Sequence, residues 1–292
     1  MSKTIIFTDS HINDPYLDEL KDGFDEIMSY DADNIIHLGD YYDSNRPSPR
    51  SIMFGTEMAK KLVDKYKNVT ILAGNGRHNW LNGGSVIDYL KVLGVEIVGM
   101  DLEREIDGKK CFFAHAMTNE SYKEYGSHEY TVKELRKYDI ALLGHQHLLQ
   151  ELTPTIHHVG SMFWQHFNEV ADKYKRIAII EDGELSFIPL LSPDRMIDVT
   201  DIKELPKIDP KTKVRLLIPD FHTFKNIVKQ LPEWKEKFVE FKYELRYDKV
   251  SKNTQKVIKS DSISQLSIIE EIKKIDDPEV RQILQELFSG DK

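Results

Sequence analysis

A chain of 292 residues, 40% of them hydrophobic, is long enough to bury a sizeable core and to form one large domain with an appendage. Its single cysteine, Cys111, excludes an internal disulfide and a thiolate-rich zinc site, and suits a reducing compartment. Residues 1–200 hold 21 Lys+Arg against 32 Asp+Glu and ten of the eleven histidines, a balance suited to binding cations and unlike that of a stand-alone, salt-sensitive DNA binder.

The N-terminus, MSKTIIFTDSHI, has an apolar run too short for a secretory signal, and no stretch approaches the ~20 apolar residues of a membrane span. A soluble, cytoplasmic protein with no membrane partner is expected. Short apolar runs then alternate with amphipathic segments: TIIFT (4–8), NIIHLG (34–39), VTILAG (69–74), KCFFAH (110–115) and IALLGH (140–145), with helical patterns near 15–30, 50–66, 84–93 and 128–138. That order predicts an α/β fold. TIHHVGSM (155–162) and KRIAIIEDGELSFIPL (175–190), with a hairpin turn at Glu181-Asp182-Gly183, predict a second, largely antiparallel sheet behind the first.

Pro- and Asp-rich residues 192–212 predict a linker. VRLLIP (214–219), a helix at 222–230 and FVEFKYELRY (238–247) predict a small α+β unit. The last stretch shows two apolar helical faces, 263–275 and 278–288, the second opened by Asp277 as N-cap and Pro278. The expected domains are 1–198, 199–262 and 263–292.

Strand ends carry the chemistry. The first run ends in Asp9-Ser10-His11, the second in Gly39-Asp40 and the third in Gly74-Asn75; the last two end in His115 and in Gly144-His145-Gln146-His147. Such ligands belong at the carboxyl ends of strands in an α/β sheet, and a preceding glycine lets the chain turn sharply. A mixed carboxylate, amide and imidazole set without thiolate suits Mn²⁺, Fe or Zn. Asp40 is the candidate bridge between two ions roughly 3.5–4 Å apart. By contrast His37, Tyr41 and Tyr42 read as packed side chains, and at most one of His157 and His158 can face a cleft.

The ordered set D-x-H, G-D, G-N, H, G-H-x-H over residues 9–147 resembles the calcineurin-like metallophosphoesterase superfamily. "GDYYDSNRPSP" (39–49) and "HVGSMFWQHFNEVADKYKRIAII" (158–180) further resemble the SbcD nucleases of bacteria and phages, relatives of the meiotic recombination nuclease. The resemblance covers roughly residues 3–190 and implies a two-sheet α-β-β-α sandwich with a small α+β cap and a helical tail. It also implies one ion on Asp9, His11, Asp40 and His147, a second on Asp40, Asn75, His115 and His145, and a preference for manganese. The implied activity is DNA exonuclease and endonuclease cleavage in repair or recombination, with residues 263–288 docking an SbcC-type coiled-coil ATPase or forming a homodimer contact.

One loop departs from the family. There the Asn is followed directly by the His that serves as candidate general acid; here Gly76 and Arg77 intervene before His78, and Asn79 stands where Asp or Glu is usual. Either the two extra residues bulge outward and His78 still reaches the leaving oxygen, or the acid is lost. Arg77 and Arg46 are candidate phosphate contacts, and Asp43 and Arg50 could order the loop. A small-molecule metallophosphodiesterase and a weakened, DNA-clamping scaffold subunit are the alternatives.

Overall fold

The computed structural model describes residues 2–81, 83–122 and 128–245. The predicted tail, 263–292, lies outside the described residues, as does the expected cap boundary at 262. The chain divides into two compact units at Arg195/Met196.

The first unit is a two-sheet sandwich with helices outside. One sheet holds the parallel strands β1 (Lys3–Phe7), β2 (Asn34–His37), β3 (Asn68–Leu72) and β6 (Glu96–Val98). To β1 is added the antiparallel hairpin of β12 (Arg176–Glu181) and β13 (Glu184–Pro189), in register Lys3↔Glu181. The second sheet runs β10 (Gln150–Thr153), β11 (Ile156–His158), β9 (Ile140–Gly144), β8 (Lys109–His115), β7 (Asp101–Ile106).

The central runs are almost wholly apolar because both faces of these strands are covered. Ile6, Ile36 and Leu72 meet Phe113, Leu142 and Ala178 between the sheets. Ile5, Phe7 and Ile35, one residue out of step, face away and pack on Leu20, Phe24 and Ile27 of α1 (Leu17–Ser29) and Met58 and Leu62 of α2 (Pro49–Lys65). Ser48 caps α2 by accepting the amide of Ser51, with Pro49 in its first turn. On the far side, Phe112, Ala114 and Leu143 pack against Val132 and Leu135 of the short helix α4 (Val132–Leu135).

Two expectations for the first unit need correction. The hairpin 176–189 was assigned to the second sheet, yet it extends the first, because its apolar face completes the layer beside β1; the second sheet forms instead around 109–115 and 140–144. The helix expected near 84–93 is reduced to a 3-10 helix, Asp88–Leu93, after a two-residue strand pair, β4 (Trp80–Leu81) and β5 (Gly84–Ser85).

Among its described residues the second unit has three parallel strands, β14 (Met196–Val199), β15 (Lys213–Ile218) and β16 (Glu240–Leu245), and two α-helices, α5 (Phe221–Ile227) and α6 (Leu231–Lys237). Val214, Leu216, Phe224, Leu231 and Trp234 form its core. The stretch 192–212 is therefore not all linker: Met196 and Val199 are buried on a paired strand, and Ile202–Lys207 is a 3-10 helix.

Candidate metal centre

Asp9 and His11 follow β1, Asp40 follows β2 and Asn75 follows β3; His115 ends β8, and His145 and His147 follow β9. All seven sit at the carboxyl ends of parallel strands, drawn from both sheets. Their backbone is unusual. Asp9, His11, Asp40 and His145 have positive φ (53°, 39°, 53° and 74°), in or near the left-handed region that non-glycine residues rarely enter. The other two such residues, Asp107 and Asp182, each precede a glycine in a hairpin turn. Gly74 (φ 78°) is obligatory for a further reason: a Cβ there would collide with the Asp40 backbone and carboxylate.

Two groups of ligand atoms converge. In the first, His11 Nε2 and His147 Nε2 are 3.1 Å apart, and Asp9 Oδ1 lies 3.6 and 3.7 Å from them. In the second, Asp40 Oδ2 is 3.2 Å from His115 Nε2 and 3.0 Å from the Asn75 amide, which is 3.4 Å from His145 Nδ1. Asp40 Oδ2 is also 3.7 Å from His11 Nε2, so this one carboxylate faces both groups.

These residues fit a metal. Ligand atoms about 2.1 Å from a common ion sit about 3.0–3.4 Å from one another, close to the spacings present. Two imidazole lone pairs 3.1 Å apart need a cation or proton between them. Asp9 Oδ1 is buried and accepts no hydrogen bond, an expensive state without a cation. Asn75 presents its amide nitrogen to Asp40, and a half-turn of that amide presents the oxygen a metal requires.

The charges of the cluster shift one another's protonation. Burial alone would depress His11, but hydrogen bonding to Asp43 and the negative charges of Asp40 and Asp9 raise it to about 10. His115 is likewise raised by Asp40 and Asp9 against the cost of burial. Asp9 stays well below the usual carboxylate range despite burial, chiefly because of His115. His145 is lowered, by burial and then by the charge of His115. The His115 Nδ1–H donates to the Leu38 carbonyl (2.9 Å), which directs Nε2 at Asp40.

The departing loop neither bulges nor loses its histidine. Gly76–Asn79 winds into one helical turn, α3, closed by Asn79 N–H to Asn75 O (3.1 Å). On such a turn residues three and four apart share a face, so Asn75, His78 and Asn79 all point inward. The His78 ring lies edge-on to His11 (centroids 4.9 Å), and its Nδ1–H donates to the Asp43 carbonyl (2.5 Å). Asn79 is buried and donates Nδ2–H to Asp40 Oδ1 (2.6 Å).

Other candidates fall outside this cluster. Arg46 is exposed on the turn after Asp43, away from the cleft lining, and the side chain of Arg77 lies outside the described part of the structure. His157 and His158 are both buried; the first packs on Phe187 and the second contacts Ser121 Oγ (2.7 Å). Tyr41 and Tyr42 are fully buried. Asp43, its side chain half-exposed, places Oδ1 3.3 Å from His11 Nδ1, which makes it a partner of a candidate ligand. Arg50 is exposed at the start of α2.

Sequence reasoning missed the inward role of Asn79 and the wall formed by 165–168. Gln165, His166 and Asn168 line the cleft, a cavity of about 620 Å³. Gln165 donates to the Asp9 carbonyl (2.8 Å), and the His166 ring stacks on His147 (6.1 Å). Their signal was the SbcD-like stretch 158–180 that contains them, which marks the segment without saying which side chains face the cleft.

The sequence matches no family model and no curated protein. Among solved structures, the chain is similar to YfcE, a phosphoesterase from E. coli, with 16% identity, TM-score 0.38, and coverage of 64% of this chain and 92% of that one. It is also similar to the nuclease MPE of Pseudomonas putida (13%, TM-score 0.35, 63% and 87%) and to Vps29 with Zn²⁺ from Entamoeba histolytica (12%, TM-score 0.36, 64% and 98%). Among the described residues, no helix is long and apolar enough to cross a membrane.

Proposed function

We propose that the protein is a two-metal phosphodiesterase that cleaves DNA, with manganese as its working ion. The observation that carries the reading is the pair of ligand groups sharing Asp40: Asp9, His11 and His147 on one side, Asn75, His115 and His145 on the other. Two divalent ions held there would supply an ionised water and neutralise charge on the phosphoryl oxygens. The chain's own residues do the rest. The Asp43 carbonyl fixes the proton of His78 on Nδ1, so Nε2 is the ring atom that serves the substrate. From the cleft wall, His78 in its imidazolium form would give its Nε2 proton to the departing oxygen and keep the Nδ1–H on the Asp43 carbonyl. His166 and Asn168 also line the cleft and would present polar edges to a phosphate.

DNA as substrate is supported by the two SbcD-like stretches, 39–49 and 158–180, which here build the cleft wall. The excess negative charge of residues 1–200 means that bound ions, or a partner such as an SbcC-type ATPase on residues 263–288, supply the attraction for a polyanion. The inward His78 favours a working acid over a weakened scaffold. The test is digestion of labelled linear and hairpin DNA by Mn²⁺-loaded protein, beside hydrolysis of bis(p-nitrophenyl) phosphate. His78→Ala should lower both at least ~100-fold with metal content unchanged. Cleavage of the small diester with DNA untouched would turn the assignment to a small-molecule phosphodiesterase, and activity insensitive to EDTA would end the metal reading.

A further inference from the structure

We infer that Glu169 is the positioning residue for His147, and that the strap of residues 161–175 thereby sets the affinity of the ion held by Asp9, His11, Asp40 and His147. The inference rests on the two-metal reading above. His147 lies on a loop beyond β9, partly open to the cleft, so its ring needs an outer partner to hold it. Glu169 Oε1 provides one, 3.1 Å from His147 Nδ1.

The carboxylate is itself fixed from all sides. Its Oε1 also accepts the His166 amide (3.1 Å), and its Oε2 accepts Lys175 Nζ (2.7 Å) and the Ser161 hydroxyl (3.0 Å), which is shared with the Phe163 carbonyl. A carboxylate surrounded by donors is an acceptor only, so the shared hydrogen sits on His147 Nδ1. Nε2 is left with its lone pair aimed at the point His11 Nε2 and Asp9 Oδ1 also face.

The strap grips the backbone as well. The His147 carbonyl accepts both Lys175 Nζ (3.1 Å) and the Ser161 amide (3.1 Å). Lys175 completes its shell with Asp172 Oδ2 (3.0 Å) and lies over the Trp164 ring. Glu169 and Lys175 are fully buried, and placing such charges out of water costs several kcal/mol before pairing repays any of it. Apolar side chains would close the same layer more cheaply. The charges are explained if the carboxylate is needed at His147. Two of the other imidazole ligands have different outer partners: a neutral carbonyl for His115 and the half-exposed Asp43 carboxylate for His11.

The experiment is equilibrium Mn²⁺ binding, read from the free-ion EPR signal, on the full chain. Wild type should bind two ions. Glu169→Gln, which keeps the volume and removes the charge, should weaken one site about 10–100-fold and leave the other unchanged. In a His147→Ala background the same substitution should cause no further loss, because Glu169 acts through that ring. Ser161→Ala removes one donor without unpairing Lys175; it should shift the same site by a smaller factor and decides the question if Glu169→Gln does not fold. Unchanged binding in the variants, equal weakening of both sites, or losses that multiply in the double variant would overturn the inference alone. Wild-type protein that binds no Mn²⁺ would instead overturn the two-metal reading beneath it.

Discussion

Asn79 shows how one departure compels another. Its amide nitrogen is 2.6 Å from Asp40 Oδ1, in a buried position where an Asp or Glu would set carboxylate against carboxylate. A donor is required there. Asn79→Asp should therefore destabilise the protein in EDTA more than Asn79→Ala does, measured by denaturant unfolding; the reverse order would show that the contact is incidental. Two other buried side chains set the response to acid. Burial lowers His37 to about 3 and His158 to about 4. Both take up a proton on unfolding near pH 6.5 but not in the folded state, so the folded state loses stability as pH falls below 6.5. At pH 5 the cost is about 2 kcal/mol for each. The fall in stability from pH 7.5 to 5 should be visibly shallower in His37→Asn than in wild type, and equal slopes would mean that His37 is not held neutral.

The helical turn α3 is the element on which the site depends, and it was the least legible. Strands such as TIIFT and IALLGH announced themselves as short apolar runs, and the ligands at their ends followed from where α/β sheets open. Four residues, GRHN, carry no periodicity, so the sequence favours an outward bulge that keeps His78 in reach, whereas the Asn79–Asn75 bond closes a helical turn. The sheet membership of 176–189 was illegible for a related reason: an apolar hairpin states that it pairs, not with which edge. The ordering of the cleft wall by Gln165 and Glu169 depends on contacts across more than a hundred residues in one case and a buried network in the other, which no local pattern encodes. The helical phase of α3 can be tested directly. One glycine inserted between Gly76 and Arg77 moves His78 about 100° around the turn and should cost nearly as much activity as His78→Ala. Metal binding should persist, since Asn75 precedes the insertion. Full activity in the insertion variant would show that the turn does not aim His78.

At the scale of the molecule, each ligand group draws on both sheets: His11 and His147 are 136 residues apart, Asn75 and His145 are 70. An ion in either group would join the two sheets at their carboxyl ends. Binding to the folded state alone raises stability by mass action, about 2.7 kcal/mol at a hundredfold excess over Kd. Thermal unfolding followed by calorimetry should thus shift to lower temperature in EDTA and recover on adding Mn²⁺; an unchanged midpoint would mean that the ions do not bridge the sheets. The order of the ligands along the chain has a consequence for biosynthesis. While residues up to 139 are being translated, Asp9, His11, Asp40, Asn75 and His115 already exist, but His145, His147 and the β9 strand that carries them do not. Nor is the first sheet whole until β12 pairs beside β1. A growing polypeptide on the ribosome therefore has neither ligand group complete, and both candidate ion sites are finished in a single late step and not by degrees.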